Sequence, residues 1–304
     1  MNHLRCLIIL IFLSTSALTA QSKYGLVIGI GDYPNNSGWN KIHGDNDIKL
    51  IVDALVKKGF EHSNIITLKN SEAIKRNIIS SIKSVTTRAQ QGDCIFIHFS
   101  GHGQQATDLN GDESDDLDEA IIPYDAVKYY HKGIYQGENH IFDDELNEHL
   151  FLLRKKVGKE GTILALIDAC HSGDVTRGFE QDGRELTDFV MRGTADYFII
   201  PELINNKQST NSTKMKKIEW VAISGCMPYQ NNYEYKKDGI YYGSLTYAFV
   251  LALGDLKLEI TFKDLFKLIQ QKRKEINVSN FPQDPLIEGD LIDRTSKIFV
   301  KYDR

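Results

Sequence analysis

Two apolar runs, each ending in a short polar turn, constrain this chain more than anything else in it. Thr162-Ile163-Leu164-Ala165-Leu166-Ile167 has the length and near absence of polarity of a strand buried on both faces of a sheet, and is short for a helix. It stops at Asp168-Ala169-Cys170-His171-Ser172-Gly173. Cys94-Ile95-Phe96-Ile97-His98-Phe99 behaves alike and stops at Ser100-Gly101-His102-Gly103. As neighbours in a parallel sheet, these strands set the Cys170 thiol beside the His102 imidazole. That is the carboxyl edge, where open α/β sheets bind ligands.

The rest of the chain supplies the expected partners. Lys23 to Gly31 reads as a first buried strand closed by Asp32-Tyr33-Pro34. Asp45-Asn46-Asp47 opens a helix whose Ile48, Ile51, Val52, Leu55 and Val56 keep helical spacing up to Gly59. A strand at Asn64 to Leu68 and a helix from Ser71-Glu72 to about Ala89 follow. The order β-α-β-α-β calls for a parallel sheet with right-handed crossovers. Residues 104–140 break the pattern, being rich in Asp, Gly and Tyr with one strand-like piece at Ala120-Ile121-Ile122-Pro123. A helix from Asp143 to Lys155 leads into the Cys170 strand. After it come an irregular stretch (174–217), a strand at Trp220 to Gly225 and helices at Tyr241–Leu253 and Phe262–Glu275. A last strand is expected at Ile298-Phe299-Val300. With no internal repeat and no second core, residues 21–304 read as one α/β domain of about six strands flanked by helices.

Composition excludes some partners. Over 304 residues, 41% hydrophobic and 25% charged content are ordinary globular values, and a net charge of −5 gives no reason to expect nucleic acid. No basic run suggests a membrane-surface patch. At the start, Arg5 precedes a wholly apolar Leu7 to Leu13 and then small residues up to Ala20. This is the pattern of a secretory signal peptide over 1–20, so the mature chain is expected to begin near Gln21 and to be exported, to a periplasm or beyond the cell. The apolar core is too short to span a bilayer. Cys94, Cys170 and Cys226 then remain, and an odd number in an oxidising compartment leaves at least one free thiol. A Cys94–Cys226 bridge stays open.

A thiol becomes a good nucleophile when a neighbouring imidazole takes its proton. The glycines around His102 would let a substrate backbone approach, and backbone N–H groups after Cys170 could face a developing oxyanion. Ser100-Gly101-His102-Gly103 followed by Asp168-Ala169-Cys170-His171-Ser172-Gly173 resembles the caspase-type cysteine peptidases (family C14), and within them the metacaspases. Gly25 to Tyr33, Gly44-Asp45-Asn46-Asp47 and Asp118-Glu119-Ala120-Ile121-Ile122-Pro123-Tyr124-Asp125 resemble the same group, over roughly residues 23 to 300.

The resemblance implies a caspase-like three-layer sandwich. His102 is then the general base and acid, Cys170 the nucleophile, and the N–H groups of Gly103 and Cys170 the oxyanion donors. Asp168 lies two residues before Cys170, and strand alternation puts both on one face. Asp47 corresponds to the family's other pocket acid, although it could also cap its own helix. Two carboxylates in a partly dry cleft favour Arg or Lys at the cleaved position and reject Asp.

The acidic segment Asp108 to Glu119 approaches EF-hand spacing but has Glu113 where the glycine belongs. A different calcium site of the family corresponds to Asp125, Asp143 and Asp144, with Arg177 at its fourth position. No organic cofactor is implied, and calcium is the one metal the resemblance raises. The expected partner is a peptide or protein substrate with a basic residue, and the chain is expected to act as a monomer. The 174–217 stretch, with Arg177, Arg184, Arg192, Lys207, Lys214, Lys216 and Lys217, joins halves that many relatives separate by self-cleavage. A catalytically silent binding module and a peptidase of different preference stay open as alternatives. A nucleotide site resting on Gly29-Ile30-Gly31 lacks the third glycine.

Overall fold

Three largely apolar runs of seven residues form the centre of the molecule, because a strand packed on both faces needs no polar side. The structure is a computed structural model that describes residues 21–108, 110–111, 113, 116–170, 190–194, 196–201, 219–256, 259–276 and 282–300. The expected signal peptide, His171-Ser172-Gly173, Arg177 and most of 174–217 lie outside the described residues. The first half of the chain supplies β1 (Lys23–Gly29), α1 (Asp47–Lys57), β2 (Ile65–Lys69), α2 (Lys75–Arg88) and β3 (Cys94–Ser100). It continues through β4 (Gly103–Thr107), β5 (Leu117–Ile121), β6 (Ile141–Phe142), α3 (Asp143–Val157) and β7 (Thr162–Asp168). Then come β8 (Val221–Ser224), β9 (Glu234–Lys237), β10 (Ile240–Gly243) and α4 (Ser244–Asp255). The last described elements are β11 (Ile260–Thr261), α5 (Phe262–Ile276), β12 (Leu286–Glu288) and β13 (Thr295–Ser296).

Six strands form one sheet in the order β12-β8-β7-β3-β1-β2, parallel throughout except where β12 joins β8. Strand alternation divides the core between its two faces. Leu26, Ile28, Ile95, Ile97, Ile163 and Ala165 pack with Ile78 and Ile82 of α2 and Leu150 and Leu153 of α3. Val27, Phe96, Leu164, Leu166 and Ile223 face Ile51 and Leu55 of α1, Phe249 of α4 and Ile269 of α5. A mixed sheet between two helical layers is the expected fold class.

Three expectations are corrected. The sixth strand is β12, not 298–300; Ile298 and Phe299 instead pack with the second core layer, Phe299 against the rings of Phe96 and Phe249. Residues 104–140 hold an antiparallel pair, β4 with β5, rather than one strand-like piece. Polar Gln104 is tolerated inside it because its side-chain amide donates to the carbonyls of Lys128 and Asp196. The helix expected from Tyr241 starts at Ser244, since β9 and β10 turn through Asp238 and Gly239 at φ 51° and 83°. Among the described residues no helix is long and apolar enough to cross a membrane.

Candidate active site

β3 and β7 are neighbours in register, Ser100 against Asp168. His102 and Cys170 each follow that pair by two residues, so both project from one edge of the sheet. Both are buried. The His102 ring lies between Trp39 and Tyr33, with centroids 4.8 and 5.0 Å away. The Tyr33 hydroxyl accepts the His102 backbone N–H at 3.0 Å and donates to the Ile122 carbonyl at 2.9 Å. Imidazole Nε2 donates to the Asn40 carbonyl at 2.8 Å, which assigns the ring proton to Nε2 and leaves a lone pair on Nδ1. Nδ1 is buried without a hydrogen-bond partner. Burial, helped by the charge of Arg192 and opposed by the Asn40 carbonyl, holds the imidazole down at about 4. A neutral ring with one vacant nitrogen is a proton acceptor.

The Cys170 thiol donates to the Gln230 carbonyl at 3.2 Å, and the Cys226 thiol donates to the same oxygen at 3.1 Å. Contact with Cys170, then burial, pushes the Cys226 thiol well above its usual range. Cys226 therefore stays protonated beside the Cys170 sulfur. The bridge left open between Cys94 and Cys226 is not formed, and among the described residues no cysteine is joined in a disulfide. Cys94 opens β3 while Cys226 follows the end of the parallel strand set, so the two lie toward opposite edges of the sheet.

Asp47 and Asp168 do converge, on a guanidinium of the chain itself. Arg192 is fully buried. Its Nη2 lies 3.2 Å from Asp47 Oδ2 and 3.0 Å from Glu234 Oε1, and its Nη1 lies 3.9 Å from Asp168 Oδ1. Nε donates to Glu234 at 3.1 Å, and Nη1 donates to Ser100 Oγ and to the Asp168 carbonyl. The carboxylates are themselves held. Asp168 accepts the Asn232 amide at 2.7 Å and, in the first turn of α4, the Thr246 N–H and hydroxyl at 2.7 Å each. Asp47 accepts from Ser100 Oγ at 2.6 Å and from the Gly243 N–H at 3.0 Å. No side-chain bond caps α1, so Asp47 serves the slot rather than its own helix. Burial pushes the Asp47 carboxyl up, against the pull of Arg192, and Asp168 adds to the rise. Three buried carboxylates around one cation form a slot that without a cation would leave charge uncompensated.

The segment carrying Arg192 lies like an added strand. Glu234 N–H donates to the Val190 carbonyl at 2.9 Å and Arg192 N–H to the Asn232 carbonyl at 2.8 Å. The Arg192 carbonyl accepts the Cys170 backbone N–H at 2.8 Å. A Cβ added to Gly193 would lie 2.7 Å from Cys170 Cβ and 3.2 Å from its sulfur, so the following peptide bond runs past the thiol.

The family model described as "Metacaspase, peptidase C14 domain" matches residues 23–177. The chain belongs to the metacaspases. It is 25% identical to Metacaspase-1 of Eremothecium gossypii over 87% of this chain and 63% of the relative. Against Metacaspase-1 of Schizosaccharomyces pombe it is 28% identical over 76% of this chain and 60% of the relative. The chain thus spans 63% and 60% of the length of these curated metacaspases. Two solved structures share the fold. Protein GSU0716 from Geobacter sulfurreducens gives a TM-score of 0.60 at 18% identity, over 92% of this chain and 100% of that one. Caspase-1 from Spodoptera frugiperda gives 0.57 at 12% identity, over 93% and 92%.

The remaining metacaspase-type positions are Gly103, Asp125, Asp143 and Asp144. Gly103 opens β4 opposite Ile121, directly after His102. Asp125 Oδ1 accepts the Lys75 N–H at 2.9 Å at the start of α2, and Asp144 accepts the Asn110 side-chain amide. Asp143 keeps a buried oxygen without a partner, and burial, then Glu119 and Asp144, push its carboxyl up to about 7. Among the described residues no group of three such side chains is placed to hold a metal ion. Sequence reasoning missed Glu234, Asn232, Gln230 and the part played by Ser100, all of which reach the site from separate segments. It named Arg192 only as one basic residue of a long stretch.

Proposed function

We propose that the chain is a cysteine endopeptidase that cleaves after Arg or Lys, using His102 and Cys170 as a dyad. One observation carries the reading: a buried guanidinium sits among Asp47, Asp168 and Glu234, with its carbonyl on the N–H of the thiol-bearing residue. Lysine can enter the same slot as a point charge, but without the forked donors that also reach Ser100 and the Asp168 carbonyl. An aspartate there would meet three like charges.

The steps follow from the groups present. Nδ1 of His102 takes the thiol proton, and the sulfur of Cys170 attacks the carbonyl carbon after the basic residue. The Cys170 N–H stabilises the oxyanion, the proton passes to the leaving amine, and a thioester forms. Water then attacks the thioester with His102 as its base, returning the acid and the thiol. The apolar Leu7 to Leu13 stretch supports an exported form of this enzyme.

The test is a peptide panel ending in Arg, Lys, Asp or Leu at the cleaved position, under reducing conditions with and without calcium. Arg and Lys peptides should be cut at least ~100-fold faster than Asp, equivalent to about 2.7 kcal/mol of discrimination. Cys170→Ala should be inert. If no peptide is cut, or the Asp peptide leads, the assignment fails and a binding module takes its place.

A further inference from the structure

One buried nucleophilic group beside the site has no part in the steps above. Cys226 follows β8 as Cys170 follows β7, and those strands are neighbours, Ile167 pairing with Ser224. The Gly225 N–H donates to the Ile167 carbonyl at 3.0 Å, which ties the two strand ends together just before the cysteines. Both thiols then donate to one acceptor, the Gln230 carbonyl, at 3.2 and 3.1 Å. A shared acceptor holds the two sulfurs side by side, and the thiols also touch each other. With exposures of 0% for Cys170 and 6% for Cys226, the pair is closed to a bulky disulfide such as oxidised glutathione, and an oxidant of a few atoms is the kind that reaches it. We propose that Cys170 and Cys226 are a reversible oxidation site, in which a peroxide oxidises the Cys170 sulfur and Cys226 captures it as a disulfide that silences the nucleophile until a dithiol reduces it. The bond rests on the placing of the two sulfurs; that Cys170 is oxidised first rests on the peptidase reading above.

With hydrogen peroxide as the oxidant, two steps complete the reaction. His102 Nδ1 takes the Cys170 thiol proton, and the sulfur attacks one oxygen of the peroxide. An S–O bond forms, the O–O bond breaks, and the departing hydroxide takes the proton from His102 and leaves as water. The Cys226 sulfur then attacks the Cys170 sulfur. The S–S bond forms as the S–O bond breaks, and the second hydroxide leaves as water with the Cys226 proton. The two sulfurs lose two electrons and the peroxide gains them. A dithiol reverses the change, giving back two electrons and two protons and leaving as its own disulfide. A sulfenic acid on Cys170 without a neighbouring thiol meets a second peroxide and becomes an irreversible sulfinic acid. Cys226 closes that route because its sulfur is already in reach. In an exported chain, as proposed above, no cytosolic reducing pool keeps thiols reduced, so such a capture preserves the enzyme.

The experiment treats the full chain, reduced and then freed of reductant, with hydrogen peroxide. Free thiols are alkylated and the digested chain is mapped by mass spectrometry. Hydrolysis of an Arg peptide is followed before oxidation, after it, and after dithiothreitol. The expected result is a peptide pair joined through Cys170 and Cys226, with Cys94, at the other end of β3, still alkylated. Turnover should be lost on oxidation and return with dithiothreitol. Cys226→Ser keeps a donor for the Gln230 carbonyl and should retain turnover while reduced. After peroxide it should recover at least ~10-fold less activity than the parent, with Cys170 found as sulfinic acid. Mapping of the parent chain decides the matter by itself if that variant fails to fold. Equal recovery in Cys226→Ser and the parent overturns the inference. So does a parent chain whose two thiols stay reduced, or whose Cys170 over-oxidises with no bridge to Cys226. A Cys170–Cys226 bridge in a chain that never cuts the peptide, even when reduced, leaves the oxidation site standing and overturns the peptidase reading.

Discussion

The His102 imidazole can accept a proton only while it is neutral, and burial keeps it neutral. Trp39 and Tyr33 enclose the ring, Asn40 fixes the proton on Nε2, and the cation in the slot discourages a second positive charge nearby. In NMR titration of the Cys170→Ala chain, the His102 ring should keep its neutral shifts from pH 8 down to about 5. It should charge near the value of about 4 set by burial. A midpoint close to 6.5, the value of a free histidine, would remove the argument. The sign for stability follows. A ring whose folded value is depressed binds fewer protons than the unfolded chain, so its stabilisation is lost as pH falls from about 6.5 toward 4. At this scale the sequence was informative for His102, Cys170, Asp47 and Asp168, because each lies in a short motif beside a strand or helix end. Glu234 has no such local mark.

Helix starts and a hairpin build the slot around those residues. The first turn of α4 offers the Thr246 N–H to Asp168, and the end of β10 offers the Gly243 N–H to Asp47. Gly243 lies where a side chain cannot: an added Cβ would come 2.1 Å from Asp168 Oδ2 and 2.7 Å from Arg192 Nη1. Gly243→Ala should lower kcat/KM for Arg peptides by at least ~100-fold and cost about 1–3 kcal/mol of stability, as overpacking does. Undiminished peptide turnover by a folded Gly243→Ala chain would show that this contact does not shape the slot. The β9–β10 hairpin that carries Glu234 to His43 and Arg192 was readable in principle from Asp238-Gly239, a strong turn signal. It was hidden because Tyr241 and Tyr242 extend the apolar pattern of the following helix backwards.

Among the described residues, carboxyls pushed above their usual range stand at the end of the sheet, in Asp47, and at the start of α3. Asp143 is the second case, with a carboxyl raised to about 7 by burial and by the nearby Glu119 and Asp144. A raised folded value means that the stability this group contributes is complete below about 4, and is lost as pH rises through about 7. Asp143→Asn should therefore gain on the parent chain between pH 5 and 8, by on the order of 1–2 kcal/mol in urea unfolding. A difference that stays flat over that range would mean the carboxyl is not strained.

By itself the sequence determined the mostly parallel sheet, the layered α/β class, and the placing of His102 and Cys170 just after two adjacent strands. These follow from strand runs and turn motifs, which are properties of adjacent residues. Only the tertiary structure decided that Glu234 joins Asp47 and Asp168, that Cys226 rather than Cys94 stands beside Cys170, and that Arg192 fills the slot. Each of those is a meeting of segments far apart in the chain. Charge balance in a buried space selects such a meeting, and no local pattern of residues encodes it.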